Sequence, residues 1–178
     1  PELRRARFIA NVEFTNYSNE ELLDLIEENI DVLDEEALLR AASVAKNNDT
    51  KIAVYKKAVE KYSSARAQYN LAVAYLYSDK LADAKAALAK VSEKDADYQN
   101  AMGVVALREG NYAEAAKCFN ASGNESAKEN LAVLDILNGK YTDAAAKLAN
   151  SDCCGNKALA YILTGQLDKA AASIKCEC

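Results

Sequence analysis

The chain has 178 residues, 51% of them hydrophobic and 28% charged, with a formal charge of −5 and no histidine or tryptophan. That length holds one ordinary domain or a short repeat array, and no apolar run approaches the ~18 residues that a membrane-crossing helix needs. An acidic balance with scattered lysines argues against a nucleic-acid-binding surface, and without histidine no Ser-His or Cys-His nucleophilic pair can form within the chain.

The chain lacks an initiator Met and a signal-like opening, which reads as a mature form or an excised piece. Its one proline is Pro1, so no later position resists helix through a missing amide, and abundant Ala and Leu favour helix. In "PELRRARFIANVEF", Phe8, Ala10, Val12 and Phe14 alternate as in a strand, while Phe8, Ile9 and Val12 also suit a helix. In an otherwise helical chain the helix is expected. Ser18 and Glu21 have capping-box spacing, and the following Leu22, Ile26, Ile30 and Leu33 predict one apolar helical stripe. Between Glu20 and Glu36 stand nine acids and no Lys or Arg, which reads as a solvated helix face, with an acidic docking surface as the alternative. The segments from Asp34 to Lys46 and from Thr50 to Tyr62 form a degenerate helix pair by their i, i+3/i+4 apolar spacing.

From about residue 65 the chain repeats itself. "LAVAYLYSDKLADAKAAL" from Leu71 is echoed by "GVVALREGNYAEAAKCF" from Gly103, "LAVLDILNGKYTDAAAKL" from Leu131 and "LAYILTGQLDKAAASI" from Leu159. Each reads as an apolar helix, a turn at Asp79, Gly110, Gly139 or Gly165, and a second helix opening on Leu or Tyr. Seven residues before the turn stands a small residue (Ala72, Gly103, Ala132, Ala158), and five after it an alanine (Ala84, Ala115, Ala144, Ala170). Nine after it comes a larger plug: Leu88, Phe119, Leu148 or Ile174. Small residues on facing stripes let an antiparallel helix pair approach closely, and the plug fills the gap toward the next pair. Periodicity of this length with helical content predicts an all-α superhelical solenoid of about five antiparallel helix pairs. Residues 1–64 would supply degenerate repeats and 65–178 the regular ones (about 65–94, 95–123, 124–151 and 152–178), all in one continuous solenoid. Tyr75, Tyr112, Tyr141 and Tyr161 fall in buried or half-buried slots of this scheme. Because a solenoid end normally needs a polar cap, the last pair implies that the chain continues past Cys178 or that this end meets a partner.

The pattern resembles the tetratricopeptide repeat. It is matched best by Gly103, Gly110, Tyr112, Ala115 and Phe119, and by Ala72, Tyr75 and Ala84 in the preceding copy. Successive turns here are 31, 29 and 26 residues apart, against about 34 in that family. The family's aromatic near the start of the first helix is absent, with Gln68, Gln99 and Lys128 nearby instead. The opening segment, with its Arg4-Arg5 pair, is similar to the closing segment of outer-membrane-protein-A-like peptidoglycan-binding domains. That similarity implies a slice of a larger bacterial envelope protein, periplasmic or associated with the outer membrane, against a cytoplasmic alternative.

The resemblance implies a concave groove lined by the first helices, where an asparagine ladder grips a peptide main chain. Two residues before the small position stand Asn70, Asn130 and Asn156; the second repeat has Ala101 there, beside Asn100. An amide offers one donor and one acceptor to a peptide unit, though an asparagine equally serves a neighbouring turn. Tyr69, Tyr77 and Arg108 are further groove candidates, being types favoured at interfaces. Val73, Val104 and Val133 stand where the family's carboxylate-clamping members carry asparagine, which speaks against a clamp.

Four of the five cysteines, Cys153, Cys154, Cys176 and Cys178, fall at neighbouring ends of the last predicted hairpin. Free thiols, a disulfide between the two groups and a four-thiolate metal site are open. The vicinal and Cys-x-Cys spacings and the lack of histidine weigh against metal. Cys118 reads as a small buried hydrophobe. Paired acids such as Glu35 and Glu36 suit a helix start, and neither a phosphate loop nor a nucleophile-base pair is visible. The sequence therefore predicts a non-enzymatic scaffold without metal or cofactor, binding a protein or peptide in its groove. The alternative is a structural spacer or assembly element of a larger cell-envelope protein, associating through its solenoid ends.

Overall fold

In each of the four regular repeats the chain must reverse within a few residues, and it does so with the same local device. Asp79, Gly110, Gly139 and Gly165 all adopt left-handed backbone, with φ of 57, 77, 76 and 73°. The next residue's amide then reaches back to a carbonyl of the preceding helix: Lys80 to Tyr75 and Asn111 to Ala106 at 2.9 Å, Lys140 to Asp135 and Gln166 to Tyr161 at 2.8 Å. This closes the last turn and satisfies carbonyls that the helix leaves open. Asp79 therefore adopts the backbone conformation that glycine adopts in the other three turns.

The computed structural model describes residues 16–174. Among these, the regular elements are helices: α1 (Asn19–Glu28), α2 (Glu35–Val44), α3 (Asn48–Tyr62), α4 (Ala65–Tyr77), α5 (Leu81–Leu88), α6 (Ala96–Arg108), α7 (Tyr112–Ser122), α8 (Glu125–Leu137), α9 (Tyr141–Leu148), α10 (Cys154–Leu163) and α11 (Leu167–Ser173). Each helix packs on its neighbour in chain order, and α6 also touches α4 and α8. The result is a solenoid of antiparallel pairs, α2/α3 through α10/α11, with α1 packed on the first. The opening segment, with its helix-or-strand question and its envelope-protein similarity, lies outside the described residues, as do Cys176 and Cys178.

The expected capping box is present at α1: Ser18 Oγ accepts from the Glu21 amide at 3.2 Å while Glu21 Oε2 accepts from the Ser18 amide at 2.7 Å. That bond holds the Glu21 carboxylate below its usual range. The single stripe through Leu33 is corrected. Helix α1 stops at Glu28, Asn29 turns the chain at φ −160°, and Ile30–Val32 form a short 3-10 turn. The C-terminal end of α3 pins that turn, Lys61 Nζ donating to the Asp31 and Leu33 carbonyls at 2.6 and 2.9 Å. Leu22 and Leu33 still reach the same core, with Leu38, Val54 and Ala58.

In the regular repeats the small residues are buried as the packing argument requires, and so are the plugs Leu88, Phe119 and Leu148. A glycine at 103 is explained by its neighbour: the Phe119 ring lies where a β-carbon on Gly103 would stand. Ile174 departs from the pattern at 65% exposed, because among the described residues no helix follows to cover it. Tyr112 and Tyr141 also depart, at 40% and 37% exposed. As the first residues of α7 and α9 they stand at the solvent edge of the turn rather than inside the pair. Gln68, in place of the family's aromatic, is buried and donates from Nε2 to the Ala87 carbonyl at 2.9 Å, tying α4 to the end of α5. The shortening of the repeats has a local origin. α10 has 10 residues where α4, α6 and α8 have 13, and α7 joins α8 through only Gly123 and Asn124.

Candidate partner-binding groove

Because α4, α6 and α8 are consecutive first helices, their shared face forms one side of the solenoid. Along that face lies a cleft of about 420 Å³. Five of the seven groove candidates line it: Tyr69 and Tyr77 from α4, Asn100 and Arg108 from α6, and Asn130 from α8. Asn70 lines an adjoining depression that shares Tyr69 and Asp97 with the cleft. Asn156, one pair further on in α10, lines neither.

The lining positions are mostly those thirteen, ten, six and two residues before each turn, a helical i, i+3, i+7, i+11 stripe. The asparagine series chosen from the sequence stands one residue off that stripe, so Asn130 and Ala101 border the cleft from that position while Asn100 occupies the stripe itself. Ala101 is 4% exposed and packs in the core. Asn130 Nδ2 donates to Asn100 Oδ1 at 2.9 Å. The two amides thus form a rung between successive first helices despite the shift in register. Asp97, Asn124, Ser126 and Glu129 also line the cleft and were not singled out from the sequence. For Asp97, Ser126 and Glu129 the only signal was the stripe itself, since the residue type changes from repeat to repeat at the positions they occupy, while Asn124 stands just ahead of α8 as its cap.

Three polar side chains, Asn124, Tyr69 and Arg108, fix the cleft walls. Asn124, whose Oδ1 caps α8 through the Ala127 amide at 2.8 Å, also donates from Nδ2 to Asp97 Oδ1 at 2.8 Å. Tyr69 Oη donates to the Asp97 carbonyl at 3.2 Å. Burial, with Asp97, Asp95 and Tyr77 adding to it, pushes the Tyr69 phenol up to about 12. Arg108 Nη1 donates to the Leu76 carbonyl at 2.7 Å and to Asp79 Oδ1 at 3.0 Å, so its guanidinium binds the end of α4 as well as edging the cleft. Tyr77 stands at the rim, 76% exposed.

Cys118, Cys153 and Cys154 do not line this cleft. Cys154 at the start of α10 is buried and disulfide-bonded. Cys118 and Cys153 are free thiols, Cys118 buried beside Phe119 as expected. Burial first, then the nearby Glu114 carboxylate, raises the Cys118 thiol above its ordinary range.

No family model matches this chain, and no curated protein matches it in sequence. Solved structures do. A tetratricopeptide repeat protein from Parabacteroides merdae shares 16% identity over 88% of this chain and 70% of its own, with a TM-score of 0.61. YrrB, a TPR protein with an unusual peptide-binding site, shares 19% over 88% of this chain and 90% of its own, with a TM-score of 0.51. The fold is that of tetratricopeptide repeat proteins. Among the described residues no helix is long and apolar enough to cross a membrane.

Proposed function

We propose that this chain is a non-enzymatic interaction scaffold whose groove takes an extended segment of a protein partner. The observation that carries the reading is the amide pair in the cleft: Asn130 spends one N–H on Asn100. Asn130 Oδ1 and Asn100 Nδ2 then remain to meet the N–H and C=O of a bound peptide. YrrB, a protein of the same fold with a peptide-binding site, supports a peptide as the kind of occupant. The test is capture of partners from soluble and envelope extracts with the chain and with Asn100→Ala/Asn130→Ala. The helical circular-dichroism signal should be equal in the two. A partner held by the parent and lost by the variant supports the groove; one held equally by both removes it.

A second reading, a spacer or assembly element of a larger cell-envelope protein, is favoured by the far end of the solenoid. There Leu159, Ile162, Leu167 and Ile174 are 43, 49, 65 and 65% exposed, while the counterparts of Ile174 in the three preceding pairs are at most 1% exposed. Concentration-dependent sedimentation, abolished by Ile162→Lys/Ile174→Lys and indifferent to the groove variant, distinguishes this reading. The cysteines near this end belong to the same proposal as a disulfide that closes the last hairpin.

A further inference from the structure

The cleft and the depression beside it carry an uneven charge. Four carboxylates line them: Asp97 and Glu129 in the cleft, Glu93, Asp95 and again Asp97 in the depression. Two guanidiniums line them as well, Arg108 and Arg66. Both are already committed, Arg108 to the Leu76 carbonyl and Asp79, and Arg66 to Glu36 at 2.5 Å. None of the four acids has an ion-pair partner among the described residues. Asp95 accepts from the Tyr98 amide, Asp97 from Asn124 and Glu129 from Ser151, all neutral donors. Hydrogen bonds of that kind orient a carboxylate without cancelling its charge. Two tyrosines share the face, Tyr69 within the cleft and Tyr77 exposed at its edge, and ring faces attract cations.

Resting on the groove reading above, we infer that the occupant is an extended peptide segment bearing lysine or arginine side chains, its main chain on the Asn100–Asn130 pair and its cations on Asp97 and Glu129. A concave wall of one sign focuses the field on a ligand of the other. An acidic segment would meet four uncompensated carboxylates and no free cation. After burial, Asp97 and Asp95 are what raise the Tyr69 phenol above its ordinary range.

The test is fluorescence anisotropy with three labelled Gly-Ser peptides of one length, carrying spaced lysines, glutamines or glutamates. The proteins are the parent chain, Asp97→Asn/Glu129→Gln and a control, Asp24→Asn/Glu27→Gln, which removes the same charge from the exposed face of α1. Asn and Gln keep the oxygens that Asn124 and Ser151 bond. The lysine peptide should bind the parent tightest, weaken by about tenfold or more in the groove variant, change less than about twofold in the control, and weaken as salt is added. Equal loss in the groove variant and the control overturns the inference, since the attraction is then that of the whole acidic chain. So does a glutamine or glutamate peptide that binds as well as the lysine peptide; if that binding is lost in Asn100→Ala/Asn130→Ala, the groove reading stands without its charge preference. Failure of all three peptides to bind also overturns the inference, leaving the groove itself to the partner capture.

Discussion

The ring of Phe119 on α7 covers the α-carbon of Gly103 on α6 so closely that a β-carbon there would stand 2.5 Å from Cδ1. In the flanking repeats the same two slots hold Ala72 with Leu88 and Ala132 with Leu148. The pairs conserve filling: where the plug is a ring, the facing residue gives up its methyl group. Gly103→Ala gains about 1 kcal/mol of helix propensity, and the clash must exceed that gain for the reading to hold. A net loss of about 1–2 kcal/mol is expected. Phe119→Leu alone should cost about 1 kcal/mol through lost contacts and a residual void. The double variant Gly103→Ala/Phe119→Leu rebuilds the Ala/Leu pair and should be more stable than either single variant predicts. Urea unfolding of the four proteins measures this, and strict additivity refutes it.

Gly139 is a glycine for a different reason. Its φ is 76°, and a β-carbon would meet nothing within 4 Å. Gly139→Ala therefore pays for conformation alone, about 1 kcal/mol. Gly139→Asp should cost less, because Asp79 holds the same conformation in the first regular repeat and aspartate tolerates it better than alanine. Denaturation midpoints ordered Gly, Asp, Ala would bear this out, and an alanine variant as stable as the parent would show that the turn can relax.

These two positions also show what sequence could and could not disclose. The turn glycines, the capping box at Ser18 and the first residue of each second helix were legible, since each is a local requirement that leaves its mark on residue type. The size match of Gly103 to Phe119 was legible as a pattern of small and large residues, though not as a contact between those two. The groove was harder to read. Its stripe carries Arg66, Asp97, Ser126 and Asp152 at one position and Tyr69, Asn100, Glu129 and Gly155 at another. An open surface carries no packing requirement that would make these positions repeat, so the search for repeated asparagines settled one residue away. Exposure of Ile174 was legible only through the missing cap after the last pair, since by residue type it obeys the repeat and only the lack of a covering helix among the described residues sets it apart.

Arg108 was expected to serve the groove, and its hydrogen bonds add a structural duty. Its Nη1 holds the Leu76 carbonyl at 2.7 Å and Asp79 at 3.0 Å, linking the end of α4 to α6. The Leu76 carbonyl also accepts from the Asp79 amide at 3.2 Å, so removing the guanidinium does not orphan it. With Asp79 91% exposed, the ion pair itself adds little. Arg108→Ala should therefore cost about 1 kcal/mol, mostly the charge-assisted bond to the carbonyl. Arg108→Lys should recover part of it, since one ammonium cannot reproduce the planar fork. Thermal melts rank the three proteins, and equal stability of Ala and Arg would reduce Arg108 to a groove residue alone.

Tyr69 ties the groove to the stability of the fold through pH. Burial, together with Asp97 and Asp95, holds its phenol un-ionised up to about 12, whereas in the unfolded chain it ionises near ~10. Between those values the unfolded state has released a proton that the folded state still binds, so raising the pH favours unfolding. The stability that Tyr69 contributes is complete below about pH 10 and is lost as the pH climbs toward 12. Tyr69→Phe removes this linkage together with the bond to the Asp97 carbonyl. The variant should melt somewhat lower than the parent at neutral pH, and the gap should narrow as both are taken into the alkaline range. A gap that stays constant with pH would mean that the Tyr69 hydroxyl reaches solvent freely, and that the acids around it leave the cleft less negative than its lining implies.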